Sequence, residues 1–290
     1  MTTEYPVLRW QVGEVRISRV VEIEGASPGT FLFAEATPER LLQHAWLKPR
    51  FLTDEGKTIG SIHCFAVESA GRRIVVDTCV GNDKPREVKA WNLRQGRFLA
   101  DLAEAGFARE SVDTVLCTHL HVDHVGWNTM LAGGRWVPTF PKARYLFGRA
   151  EWAHWSGATE GTDWQVQDDS VRPVLEAGLA DLVDSDHRLT DEVFLEPTPG
   201  HTPGHVSVRI SSRGADAVIT GDLMHHPVQC AEHGWASRFD VDPEMARRTR
   251  RAFLERYADR PVLVLGTHFA TPTGGRIVRD GKGYRFHGDG

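Results

Sequence analysis

Thr118-His119-Leu120-His121-Val122-Asp123-His124 follows an apolar, β-branched run at residues 112–117 and leads into Val125-Gly126-Trp127-Asn128. The run reads as a strand, so the motif places four potential metal ligands within six residues of a strand end. Alternate side chains of an extended segment point the same way, which sets His119 and His121 on one side together. A turn after Val122 would swing Asp123 and His124 towards a second position close to the first. Imidazole and carboxylate together suit zinc and its neighbours in the first transition row.

Working outward, three more points match this one. His201 lies in the turn-rich stretch Pro197-Thr198-Pro199-Gly200-His201-Thr202-Pro203-Gly204-His205. Asp222 follows a strand at residues 217–220, and His268 follows a strand at residues 262–265. Catalytic groups collect on loops at strand ends held by a rigid scaffold. The count is five imidazoles and two carboxylates. That exceeds what one tetrahedral zinc accepts and suits two metals sharing a carboxylate.

The rest of the chain supplies a scaffold of strands in both halves with a few helices between. Strands are expected at residues 15–22, 61–68, 73–77, 143–147, 192–196 and 206–210, and a closing hairpin at 275–279 with 284–287. Helices are expected at residues 91–107, 149–155 and 243–258, the last with Met245, Ala246, Phe253, Leu254 and Tyr257 inward. The pattern favours two sheets packed together with helices outside. Residues 24–59 read as an irregular, aromatic-dotted arm with one short helical stretch near Pro38. Such a length is unusual for a plain connection, and three roles are open: a cover over the site, a dimer contact, or an edge of the core.

Composition narrows the function. A hydrophobic fraction of 41% and a charged fraction of 25% are ordinary for a globular chain. The formal net charge of −5 argues against a general nucleic-acid binder. Arg247-Arg248-Thr249-Arg250-Arg251 is the local exception and reads as the solvated face of the last helix. The four cysteines show no paired spacing, as expected of buried small side chains in a reducing compartment. With no leader-like start and no apolar run of membrane-spanning length, a cytoplasmic location without membrane partners is the expectation.

The set His119, His121, Asp123, His124 with His201, Asp222 and His268 resembles the metallo-β-lactamase superfamily and its H-x-H-x-D-H motif. The likeness runs over roughly residues 61–268. It implies an αββα sandwich, two mixed sheets with helices on the outer faces, as one domain over residues 1–290. Residues 1–58 would then be an N-terminal strand and irregular arm. It also implies that His119, His121 and His201 hold one metal, that Asp123, His124 and His268 hold a second, and that Asp222 bridges. Asp77 would support the site from behind. Zinc is the expected metal, with manganese, cobalt or iron as alternatives.

The bridging aspartate separates branches of that family. The β-lactamases it is named for generally lack it; lactonases, hydroxyacylglutathione hydrolases, organophosphate hydrolases and tRNA-processing nucleases carry it. Acidic balance disfavours the nuclease, and His121 disfavours the di-iron flavoproteins, which usually carry glutamate there. The stretches around His201 and Asp222 look most like the lactonase and organophosphate-hydrolase arm. The implied reaction is cleavage of a lactone or other carboxylic ester of a small molecule. Two cations about 3.5–4 Å apart would share a water and present it as hydroxide. Organophosphate triester, thioester and β-lactam hydrolysis are the enzymatic alternatives, and a non-catalytic metal- or ligand-binding member is the remaining class.

Two catalytic roles follow. Asp123 could take the proton released by the nucleophile. His225 stands where the lactonases of the family place a tyrosine that hydrogen-bonds the substrate carbonyl, and its ring could donate instead. His205 reads as a residue that orients a ligand. Two of His225, His226 and His233 read as packing or surface side chains, with His225 close enough to the bridge to matter. The tryptophans at 127, 152, 155, 164 and 235 read more as core than as lining of an apolar substrate pocket.

Overall fold

Strands covered on both faces read as continuous apolar runs, and the central strands here show why. The computed structural model describes residues 5–159 and 161–288. Its first sheet contains β1 (Leu8–Val12), β2 (Val15–Ser27), β3 (Thr58–Ser69), β4 (Arg72–Val76) and β5 (Thr114–Leu116). A separate hairpin, β6 (Thr129–Ala132) with β7 (Arg135–Pro138), precedes β8 (Arg144–Gly148) and β9 (Ala180–Val183). The first sheet runs in the order β1-β2-β3-β4-β5-β8-β9, antiparallel up to β4 and parallel from there.

The second sheet takes β10 (Val193–Pro197), β11 (Val206–Ser212), β12 (Ala215–Ile219), β13 (Val262–Leu265), β14 (Gly274–Asp280) and β15 (Gly283–Gly288) in sequential order. It is antiparallel except for the β12–β13 pair. Both sheets are therefore mixed.

Alternation along each strand divides the core into layers. Phe65, Val67, Ile74, Val76 and Leu116 face inward and meet Val208, Ile210, Ala217, Ile219 and Leu265 of the other sheet. Their neighbours Cys64, Ala66, Val75 and Val115 face out and are covered by Phe98, Leu102, Trp155 and Val174. Those four come from the helices outside the first sheet. In chain order the helices are α1 (Pro38–Leu41), α2 (Phe98–Glu104), α3 (Val122–Val125), α4 (Arg149–Trp155), α5 (Gly161–Ser170), α6 (Arg172–Glu176), α7 (Val228–Ala231) and α8 (Pro243–Tyr257). Phe253, Leu254 and Tyr257 of α8 cover Val218 and Val264 on the far side. The result is the αββα sandwich. None of the helices is long and apolar enough to cross a membrane, among the described residues.

Several local expectations differ from what folds. The helix read over residues 91–107 begins only at Phe98. Before it, Asn82 pairs with the backbone of Gly96, Asn92 accepts from Arg86 N, and Leu93 adopts φ 49°, so these residues form a loop. The α5 helix was not legible because its sequence has no apolar face. The arginine run is not wholly solvated: Arg250 is fully buried and donates to the carbonyls of Leu223, His233 and Trp235. Met245 is only half-buried.

The arm between β2 and β3 packs on its own chain. Phe33, Ala36, Leu41, Leu47, Phe51 and Leu52 are buried with Leu223, Met224, Val228, Phe269 and Phe286. The Phe51 ring lies 5.9 Å from Phe286 and 6.4 Å from Phe269, edge to face. Truncating a buried phenylalanine to alanine costs about 3–5 kcal/mol through lost transfer energy and a residual cavity. Phe51→Ala should lose that much in urea unfolding, whereas a loss below about 0.5 kcal/mol, the surface-substitution range, would mean the arm is separable from the core.

Candidate metal centre

Strand register delivers the site to one end of the sandwich. The parallel pair β4–β5 ends in register, Val76 opposite Leu116, so Asp77 lies beside the start of the histidine motif. The parallel pair β12–β13 likewise ends with Ile219 opposite Leu265, and Asp222 and His268 follow within three residues of those ends. The two sheets are tied here by Val206 N donating to Thr118 O at 3.1 Å, and Ser61 N donating to His268 O at 3.0 Å. All seven side chains singled out from sequence converge at this point.

Each ligand candidate is oriented by its far side. His124 Nδ1 donates to Asp77 Oδ2 at 3.0 Å, and His201 Nδ1 donates to Asp240 Oδ1 at 2.9 Å. His268 Nδ1 donates to Ser61 O at 2.9 Å. The Thr118 hydroxyl donates to Asp77 and therefore accepts from His119 Nδ1, at 3.1 Å. These partners place the proton on Nδ1 and turn the Nε2 lone pair of four rings inward. Asp77 does this from the left-handed region at φ 57°, a costly conformation that its two partners hold in place.

Inward, His121 Nδ1 lies 3.1 Å from His119 Nε2 and 2.9 Å from His201 Nε2, and His124 Nε2 lies 3.3 Å from His268 Nε2. Asp222 stands between the two sets. Its Oδ2 is 3.3 Å from His201 Nε2 and 3.7 Å from His119 Nε2, while its Oδ1 is 3.0 Å from His268 Nε2 and 3.3 Å from His124 Nε2. Asp123 reaches His124 with one oxygen at 3.7 Å and His268 with the other at 3.6 Å. Two groups result, His119-His121-His201-Asp222 and Asp123-His124-His268, each with its donor atoms within 4.8 Å of one another.

The donor set fits metal ions. Lone pairs facing one another at such distances repel, and Asp222 Oδ1 is buried without a well-directed hydrogen-bond donor. Tetrahedral bonds of about 2.0–2.1 Å to nitrogen imply donor separations of about 3.3 Å, close to the spacings here. Charge agrees with geometry. Burial holds His119 and His201 well below the ordinary imidazole value and His121 at about 4, which keeps their lone pairs free. Burial opposes charge on His124 too, yet Asp222, Asp77 and Asp123 outweigh it and hold that ring well above its usual value. His268 rises to about 9 in the same way, against burial, through Asp222 and Asp123. Asp222, which burial alone would raise, stays far below the usual carboxylate range beside His124, His268, His225 and His119. Asp222 requires positive charge beside it, which divalent cations at the two sets of donors would supply.

The remaining histidines sort by geometry. His205 Nδ1 donates to Thr198 O at 2.9 Å, and its Nε2 accepts from Asp222 N at 2.7 Å, so it fixes the backbone of the central carboxylate. Gly221 makes that approach possible: it adopts φ 56°, and a Cβ there would lie 2.5 Å from His205 Nε2. His226 is a packing residue, bonded to Phe51 O and Val228 N. His233 is half-buried and lies against Tyr284. His225 is buried at the site, its Nε2 3.2 Å from Asp222 Oδ2 and its ring stacked 5.8 Å from that of His268. Trp155 alone of the five tryptophans sits edge-on to a ligand candidate, 5.2 Å from His121. Asp240 and the Ser61 carbonyl were missed from sequence, since a lone loop aspartate and a backbone oxygen carry no motif.

Two facing mixed sheets with a histidine–aspartate cluster at their strand ends define a metallohydrolase architecture. The chain belongs to the metallo-beta-lactamase superfamily, whose model matches residues 58–229. Comparison with curated proteins gives no match. Among solved structures, the hydrolase AbOPH of the beta lactamase superfamily is 23% identical with a TM-score of 0.79, covering 98% of this chain and 97% of its own. AidC, a dizinc quorum-quenching lactonase in complex with a product, is 18% identical with a TM-score of 0.77 over the same shares, 98% and 97%. A probable metal-dependent hydrolase from Staphylococcus aureus is 20% identical with a TM-score of 0.73, covering 97% and 99%. At these identities the likeness is one of fold.

Removing the partner that orients a metal-binding imidazole costs about 10–100-fold in metal affinity. Asp240→Asn should weaken metal binding by about that factor in competition with a chelating dye. Unchanged affinity would show that His201 is oriented without Asp240.

Proposed function

We propose that this protein is a binuclear metal-dependent hydrolase acting on a lactone or another carboxylic ester of a small molecule. The observation that carries the reading is Asp222, whose two oxygens face two separate sets of imidazoles. His119, His121 and His201 would hold one cation, Asp123, His124 and His268 the other, and Asp222 would belong to both. Zinc is the metal proposed, on the nitrogen-rich donor set. Bound there, the two ions supply Lewis acidity towards a carbonyl oxygen and bring the pKa of a water towards neutrality.

The chain's own residues would do the rest. His119, His124 and His201 lie buried while His121, Asp123 and His268 are partly exposed, so substrate would enter on the side of the latter three. At that opening Asp123 would accept the proton a nucleophile gives up. His225 has both ring nitrogens buried without a well-directed partner, which leaves a donor for the carbonyl oxygen or the leaving oxygen. No serine or cysteine nucleophile is required, and all four cysteines are buried. AidC and the N-acyl homoserine lactone hydrolase among the structural neighbours are lactonases, which supports the ester reading. His225 in place of the lactonase tyrosine favours a carbonyl or phosphoryl substrate other than a homoserine lactone, and a phosphotriester is the second reading. The unpaired cysteines suit a cytoplasmic location.

Elemental analysis of chelator-free protein should approach two metal equivalents, and Asp222→Ala should lose both occupancy and activity. A single tightly held metal, unchanged by excess zinc, would refute the binuclear reading. On a panel of lactones, aryl esters and phosphotriesters, His225→Ala should lower kcat by about 10²–10³-fold, the usual cost of losing one oxyanion donor. Its metal content should be preserved. Near-wild-type turnover in His225→Ala would leave that ring a bystander.

A further inference from the structure

Glu151 lies in the first turn of α4, outside every motif, and its side chain is almost wholly buried. With no ion pair to a cation among the described residues, this buried carboxylate must be accounted for by its hydrogen bonds. Its Oε1 accepts from Gly204 N at 2.8 Å, and its Oε2 accepts from Leu120 N at 3.2 Å and from Trp155 Nε1 at 2.9 Å. Leu120 is the residue between His119 and His121, and Gly204 follows His201 by three residues. The indole that the same carboxylate fixes is the one packed edge-on to His121.

We propose that Glu151 is a positioning residue that sets the affinity of one metal position, that of His119, His121 and His201. The inference rests on the binuclear reading above. One carboxylate joins two ligand loops that emerge from opposite sheets, the loop after β5 and the loop between β10 and β11. The fit is close: a Cβ on Gly204 would lie 2.6 Å from Glu151 N, so the second loop rests directly on α4. The other set of donors takes its support elsewhere, His124 from Asp77 and His268 from the Ser61 carbonyl. Loss of Glu151 therefore loosens the two loops that carry the first set, whose His119 and His201 keep only Thr118 and Asp240, and leaves the partners of the second set in place.

A carboxylate is needed because three N–H groups converge on two acceptor oxygens. Glutamine offers one acceptor oxygen and turns its amide N–H₂ against a donor, leaving at least one N–H unpaired. Alanine leaves all three without that partner. The expected order of damage is Glu151→Ala above Glu151→Gln.

The test is zinc titration of metal-free full-length protein by calorimetry with chelator competition, with circular dichroism to confirm folding. Wild type should take two equivalents. Glu151→Gln should keep both but bind one about 10–100-fold more weakly, as expected when support of a ligand is lost. Glu151→Ala should weaken that same equivalent further. Wild-type affinity for both equivalents in folded Glu151→Gln overturns the proposal, as does equal weakening of the two. If Glu151→Ala does not fold, Glu151→Gln decides alone. A wild-type protein that takes fewer than two equivalents refutes the functional reading itself, and this inference falls with it.

Discussion

A buried carboxylate surrounded by imidazoles is the constraint on which the structure turns. Asp222 is almost fully buried, and burial by itself would make it a neutral acid. It stays ionised because His124, His268, His225 and His119 lie beside it. Of the rings around it, His119, His124, His201 and His268 keep their places because each is bonded from behind. The site is thus a balance of charges in which no member is independent. Five imidazoles and two carboxylates this close together would repel or desolvate one another without either protons or cations to complete them.

The partners that maintain this balance come from distant parts of the chain. Asp77 from the end of β4, Ser61 from β3 and Asp240 before α8 act on histidines tens of positions away, while Thr198 and His205, flanking the His201 turn, act nearer in the chain. What brings them together is strand register. Parallel neighbours end level with one another, so residues following two such strands meet without further instruction. Where register alone is insufficient, the backbone turns left-handed, at a cost at Asp77 and freely at Gly221.

The same economy of charge governs the packing around the site. Arg250 is enclosed on the inner face of α8, where three carbonyls receive its guanidinium and Asp240 lies 3.8 Å from it. Asp240 in turn orients His201, so a helix that reads as a basic surface reaches the candidate metal ligands through one buried ion pair. Glu22 plays a comparable part on the other side, accepting from the backbone of Val80 and Gly81 and from the Trp127 indole. Burial raises that carboxyl above its usual value, and those three donors offset part of the cost.

Sequence by itself determined the layered sandwich and the seven side chains of the candidate site. Both rest on local, periodic information: apolar runs of strand length, and histidine and aspartate at strand ends. It misplaced what depends on contacts across the chain. The helix expected from residue 91 gives way to a loop because Asn82 and Gly96 pair across it, and α5 forms without an apolar stripe because it is held by its neighbours. Arg250 looked solvated because four arginines within five residues are usually exposed, and only the enclosed carbonyls of Leu223, His233 and Trp235 reveal otherwise. Glu151 and Asp240 were invisible for the same reason. A residue that acts by accepting hydrogen bonds from groups distant in the chain leaves no spacing to read, since such partners become neighbours only when the chain folds.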